Sequence, residues 1–287
     1  MLYFGGNMTK PSLKILDSNF SHTLDKWGFD TCSDGLEPQL FKWDRHITQD
    51  NDLVVFTDRH LHKHIVCNVN ADKKVGLILE PRVIHPWAYD IILHAEDYLD
   101  LILTFDETLL KRSDKYCKFT VGSCRFNKEE IRIHEKNKLV SIIASNKTIA
   151  PGHRLRHEVV KTFDNKIDAW GSGYKRFDNK IDALGDYFFS IAIMNEKVNN
   201  YFTEILTDVI LSGTVPIFWG CDNIGDYFDK RGMFVFNDLN QLKNILNIIS
   251  KEKYLEMMPY IKKNHDLALE YISTDDNVYK IIKGKLL

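Results

Sequence analysis

The segment 187–220, YFFSIAIMNEKVNNYFTEILTDVILSGTVPIFWG, leaves few folds open. Its two short apolar runs, 188–193 and 214–218, lack polar alternation, as strands of a parallel sheet covered on both faces do. Between them Phe202, Leu206, Val209 and Ile210 fall at i, i+4, i+7 and i+8, one apolar face of a helix. Gly213 stands where a helix ends on a glycine. Such a strand–loop–helix–strand unit presents helix N–H groups at the carboxyl edge of the sheet, where phosphates bind. Glu204, in the first helical turn, is placed to accept hydrogen bonds from vicinal hydroxyls such as those of a ribose.

The same rhythm runs through the rest of the chain. SLKILDS, DLVVFTD, KVGLILE, LILTF and KFTVG are successive apolar runs separated by polar or helical stretches. A second series follows: LVSIIAS, a helix from about His153 to Thr162, then KIDAW, FFSIAI, TVPIFW and MFVFND. Repeated βα units imply parallel sheets. The polar stretch 127–138 between the two series reads as a linker. The expected division is therefore an N-terminal Rossmann-like domain, 1–133, and a C-terminal nucleotide-binding domain, 134–287. KEKYLEMMPYIKKNHDLALEYI, 251–272, reads as a terminal helix touching both halves. The heptad FDNKIDA occurs twice, at 163–169 and 177–183, too few copies for a repeat array.

Composition excludes several classes. With 44% hydrophobic and 27% charged residues the chain reads as globular, and a net charge of −2 gives no drive toward nucleic acid. MLYFGGNMTKPSLK lacks the apolar core of a signal peptide, and no segment reaches the roughly eighteen apolar residues of a membrane span. The expectation is a cytoplasmic protein, or one peripheral at a membrane, without stable membrane insertion. Five cysteines, Cys32, Cys67, Cys117, Cys124 and Cys221, form no CxxC pair and read as reduced thiols. His60, His62 and His64 alternate, but the flanking Arg59 and Lys63 disfavour a cation. The acidic triplet at Asp50, Asn51 and Asp52 precedes a strand, whereas a metal-holding DxD follows one. No metal site is expected, and no GxGxxG or P-loop is present.

The wording of 187–220 is similar to the donor-site signature of the family 10 glycosyltransferases, the α1,3/1,4-fucosyltransferases. Asn195, Tyr201, Thr203, Glu204, Asp208, Gly213, Val215, Pro216, Ile217, Trp219 and Gly220 carry the resemblance. It continues more weakly from about Glu80 to Phe236. It implies a GT-B fold, two Rossmann-like parallel-sheet domains facing a cleft. It further implies inverting transfer of a sugar, fucose first, from a GDP-sugar to a glycan or lipid-linked glycan acceptor. A metal is not essential to such a transfer, since basic side chains and helix dipoles take the phosphate charge.

By the resemblance Glu80, ending the run VGLIL, is the general base. Arg154, fourteen residues before Asp168, meets the donor phosphate, and Asn195, Tyr201 and Glu204 hold the rest of the donor. Two residues depart from the pattern: Met194 replaces a Glu, and Ile205 replaces a Lys that meets donor phosphate. Lys197, Lys175 and Arg176 are candidates to supply the missing charge. The departures also suit two other readings: a non-catalytic nucleotide- or glycan-binding module, or a transferase using a different nucleotide-sugar.

Overall fold

A computed structural model describes residues 10–17 and 36–287. Residues 1–9, which carry most of the N-terminal stretch read above, and Cys32 lie outside the described residues. The chain builds two all-parallel sheets. The first contains β1 (Ser12–Leu16), β2 (Lys42–Asp44), β3 (Leu53–Thr57), β4 (Lys73–Leu77), β5 (Leu101–Thr104) and β6 (Tyr116–Lys118), in the order β2-β1-β3-β4-β5-β6. The helices α1 (Lys63–Asn68), α2 (Pro86–Ala95) and α3 (Glu107–Leu110) connect its strands.

The second sheet contains β7 (Lys138–Ile143), β8 (Asp168–Trp170), β9 (Tyr187–Ile193), β10 (Val215–Trp219) and β11 (Phe234–Val235), in the order β11-β10-β9-β7-β8. Every residue of β3 and β9 is buried, which is why these strands read as unbroken apolar runs. Helix α4 (Pro151–Phe163) follows β7 and α5 (Glu204–Leu211) follows β9. Gly213 has φ +73, and a Cβ there would lie 2.7 Å from the Ile133 side chain, so the helix turns off at glycine for two reasons.

The chain leaves the first sheet earlier than the polar stretch suggests. KFTVG does not form a strand of its own; β6 ends at Lys118 and the chain then turns toward the second half. Gly122 and Ser123 have φ +64 and +94. Their N–H groups donate to Phe202 O at 2.9 Å and Tyr271 O at 2.7 Å, both in the second half. The polar stretch itself is anchored: Lys136 Nζ donates to Gly185 O, Ser212 O and Thr214 Oγ1, each at 2.8 Å. Lysines in a polar run read as solvated, and this buried one is the exception.

Helices α6 (Leu239–Ile248) and α7 (Lys251–Ala268) pack in the second half, where Tyr254 donates to Gly213 O at 2.9 Å. The return crossing is made by the next helix, α8 (Thr274–Leu286). Its Asp275 accepts from Trp43 Nε1 at 2.5 Å, Asp276 accepts from the N–H of Gln39 and Leu40, and Tyr279 stacks on Phe41 at 5.0 Å. The helix read over 251–272 thus stops short, and Ser273 caps a separate one that reaches the first half. One apolar core runs through both halves, from Leu13 and Val55 to Phe202 and Ile282. Among the described residues no helix is long and apolar enough to cross a membrane.

Candidate active site

In the second sheet the strand order reverses between β7 and β9, because α4 and α5 leave these neighbouring strands in opposite directions. Open α/β sheets bind ligands in the crevice beyond the carboxyl ends of their strands at such a reversal. A cavity of about 670 Å³ lies there. Ile143, Ser145, Lys147, His153, Arg156, Asn195, Glu204 and Ile205 line it from the second half. Glu80 closes it from the first half, and Val121 and Arg125 from the segment that crosses between the halves.

Four of the sequence-predicted residues, Glu80, Asn195, Tyr201 and Glu204, line this cavity. Glu80 stands just past β4 at the carboxyl edge of the first sheet, its backbone carbonyl accepting from Tyr89 at 2.9 Å. Asn195 follows β9, and its carbonyl accepts from Gly152 N–H at 2.9 Å. A Cβ at Gly152 would lie 1.7 Å from Met194 O, so only glycine lets α4 start this close to β9. Glu204 opens α5 behind the N-cap Thr203, with Arg125 Nε at 3.6 Å. Burial pushes the Glu204 carboxyl up, but Lys180, Arg125 and the Thr203 hydroxyl outweigh it and hold the group below its ordinary range.

Tyr201 also lines the cavity but is 1% exposed, and its hydroxyl donates to Glu80 Oε2 at 3.3 Å across the cleft.

Arg154 does not line the cavity. It is exposed, and its Nη1 donates to Thr148 O at 3.0 Å and Ile149 O at 2.8 Å. Two residues on, about 200° around the helix, Arg156 is 6% exposed and faces the cleft. Its Nε donates to Ile193 O at 2.9 Å, and Nη2 to the same carbonyl and to Asn195 Oδ1 at 3.1 Å. Nη1 has no hydrogen-bond partner among the described residues and is not sealed in the core. Burial pulls the guanidinium down to about 10, so it stays charged at neutral pH. The sequence held a signal for this choice: Arg156 is in phase with Val159, Val160 and Phe163 on the buried stripe of α4, and Arg154 is not.

His153 adds a neutral donor. Its Nδ1 accepts from Ala150 N–H at 3.1 Å, which leaves the ring proton on Nε2. Burial, with the nearby cations Arg156 and Lys147, drives its pKa down to about 4.

The second copy of the heptad also reaches the site. Phe177, Asp178, Asn179 and Lys180 line the cavity, and Lys180 Nζ donates to Asp208 Oδ2 at 2.5 Å and Glu204 O at 3.0 Å. Asp208 is fully buried; burial raises its pKa against the pull of Lys180. In the first copy Lys166 lies at the surface against Asn247 at 3.1 Å. Identical heptads in different places gave no signal that one would reach the cleft.

Of the two departures, Met194 is 0% exposed in the core and touches no part of the cavity, whereas Ile205 is half-buried on its wall. The cations weighed as replacements lie elsewhere. Lys197 pairs with Asp222 at 3.3 Å, Lys175 sits 4.0 Å over the Trp170 ring, and Arg176 is exposed outside the cavity. Arg125, Lys147, Arg156 and Lys180 are the cations on the cavity wall. His62 and His64 lie 5.5 Å apart in a separate groove, and among the described residues no cluster of three suits a metal. Asn51 braces a turn through Thr48 and Asn70 at the opposite end of β3.

Two facing parallel-sheet halves with the cavity between them make the GT-B fold. Solved structures share it. An α1,3-fucosyltransferase matches with TM-score 0.59 and 17% identity, over 100% of this chain and 94% of that one. An α1,3-fucosyltransferase with GDP matches with TM-score 0.57 and 18% identity, over 96% of each chain. TarM matches with TM-score 0.54 and 12% identity, over 82% of this chain and 55% of that one. No curated protein matches in sequence. The profile of glycosyltransferase family 10 (fucosyltransferase), C-terminal part, matches residues 133–279, just over half the chain. The chain belongs to glycosyltransferase family 10.

Proposed function

We propose that the protein transfers fucose from GDP-fucose to a hydroxyl of a glycan or lipid-linked glycan, with inversion at the anomeric carbon. The observation that carries this reading is the meeting of Glu80 from one half with Arg156, Asn195 and Glu204 from the other around one cavity. Arg156 Nη1 and His153 Nε2–H receive the diphosphate, with the start of α4 adding its dipole. Glu204 accepts from the ribose hydroxyls. Glu80 takes the proton of the acceptor hydroxyl as the oxygen bonds to C1 and the C1–O bond to phosphate breaks, releasing GDP. Arginine, histidine and helix dipole stabilise the leaving diphosphate, so no metal is required by the scheme. The solved α1,3-fucosyltransferase with GDP supports a guanine nucleotide donor. Ile205 on the cavity wall favours a second reading, a donor other than GDP-fucose. Calorimetric titration of GDP, UDP, GDP-fucose and GDP-mannose separates the two: GDP and GDP-fucose bind most tightly on the first, and a preference for UDP overturns it.

A further inference from the structure

We propose that Tyr201 is a positioning residue for Glu80, fixing the proposed base from the donor loop of the opposite half. The inference rests on the reading of Glu80 as the base. The Tyr201 hydroxyl lies 3.3 Å from Glu80 Oε2, and its ring packs on Phe105 with centroids 4.6 Å apart. The residue has little freedom to turn elsewhere. Asn200, just before it, has φ +63 and is held by Asn223 on its N–H and by Asn223 and Tyr227 on its Oδ1. The same loop reaches the first half twice more, through Asn199 to Glu107 at 3.2 Å and Asn200 to Phe105 O at 3.4 Å.

Glu80 is gripped at both ends. Tyr89, 1% exposed, donates to its carbonyl at 2.9 Å, and Tyr201 donates to its carboxylate. Arg82 covers the Tyr89 ring at 4.1 Å and pairs with Asp106 at 3.1 Å, beside the Phe105 that seats Tyr201. A glutamate side chain has several rotamers, and a hydrogen bond to one carboxylate oxygen selects among them. Preorganisation of this kind sets turnover more than donor affinity.

The test is Tyr201→Phe, which keeps the ring on Phe105. Release of GDP from GDP-fucose with water as acceptor should slow about ten- to hundredfold in kcat. KM and calorimetric GDP affinity should stay within about twofold. Thermal unfolding of Tyr201→Phe, Glu80→Ala and the double variant supplies a readout independent of turnover. The double variant should lose less than the sum of the single shifts. Loss of GDP affinity with kcat retained, or additive unfolding shifts, overturns the proposal. Wild-type turnover in Glu80→Gln would instead overturn the base assignment, and the unfolding cycle would still decide whether Tyr201 holds Glu80.

Discussion

Replacing Arg156 and Arg154 separately distinguishes the two arginines of α4. Arg156→Ala removes the guanidinium on the cavity wall and with it the donors to Ile193 O and Asn195 Oδ1. A charge-assisted hydrogen bond to diphosphate contributes about 1.5–3 kcal/mol. At 1.4 kcal/mol per decade, GDP should bind roughly ten- to a hundredfold more weakly. Guanosine, which lacks phosphate, should bind nearly as before. The orphaned Ile193 carbonyl costs about 1–3 kcal/mol of stability, so the variant should also unfold at lower urea. Arg154→Ala releases only the exposed carbonyls of Thr148 and Ile149 and should leave GDP affinity close to wild type. Titration calorimetry with GDP and guanosine reads all three proteins. Weaker GDP binding by Arg154→Ala than by Arg156→Ala would refute the assignment.

Ile205→Lys places an ammonium on the cavity wall and should tighten GDP binding about tenfold; unchanged or weaker binding in calorimetry would mean that Arg125 and Lys180 already fill that role. Lys180→Met leaves Asp208 charged and fully buried without its ammonium, a loss of about 3–5 kcal/mol in urea unfolding. Lys180→Met with Asp208→Asn should recover much of it. His153 titrates at about 4 in the fold against an ordinary 6.5. The unfolded chain therefore takes up its proton first. The contribution is full above pH 6.5 and is lost as pH falls toward 4, with no further loss below. His153→Asn should flatten that part of the stability profile relative to wild type.

Parallel strands buried on both faces announce themselves as unbroken apolar runs, so β3, β4, β5, β7, β9 and β10 were legible. The three-residue β2 was not, because Lys42–Asp44 has one inward residue, Trp43, and no pattern to read. The handover at Gly122 and Ser123 depends on backbone contacts with Phe202 and Tyr271, which lie far along the chain. Glu80, Asn195 and Glu204 were legible because each sits at the end of a strand or the start of a helix, where position follows from local order. Arg154 was picked out by a motif spacing counted along the chain, whereas the position around the helix puts Arg156 on the cavity wall. Lys180 and Arg125 reach the site only through the fold, one on a loop between strands and one on the crossing segment. The Tyr201–Glu80 contact joins positions on opposite halves, and nothing in either local sequence foretells it.

The central claim is that Glu80 and the cavity of the second sheet act together on a guanine nucleotide sugar. The direct measurement follows GDP release from GDP-fucose by wild type and Glu80→Gln, with GDP affinity measured on the same preparations. The account predicts turnover by wild type, a loss of at least about a hundredfold in the variant, and equal GDP affinity in both. Wild-type turnover by Glu80→Gln, or wild-type protein that neither binds GDP nor releases it from GDP-fucose, would contradict it.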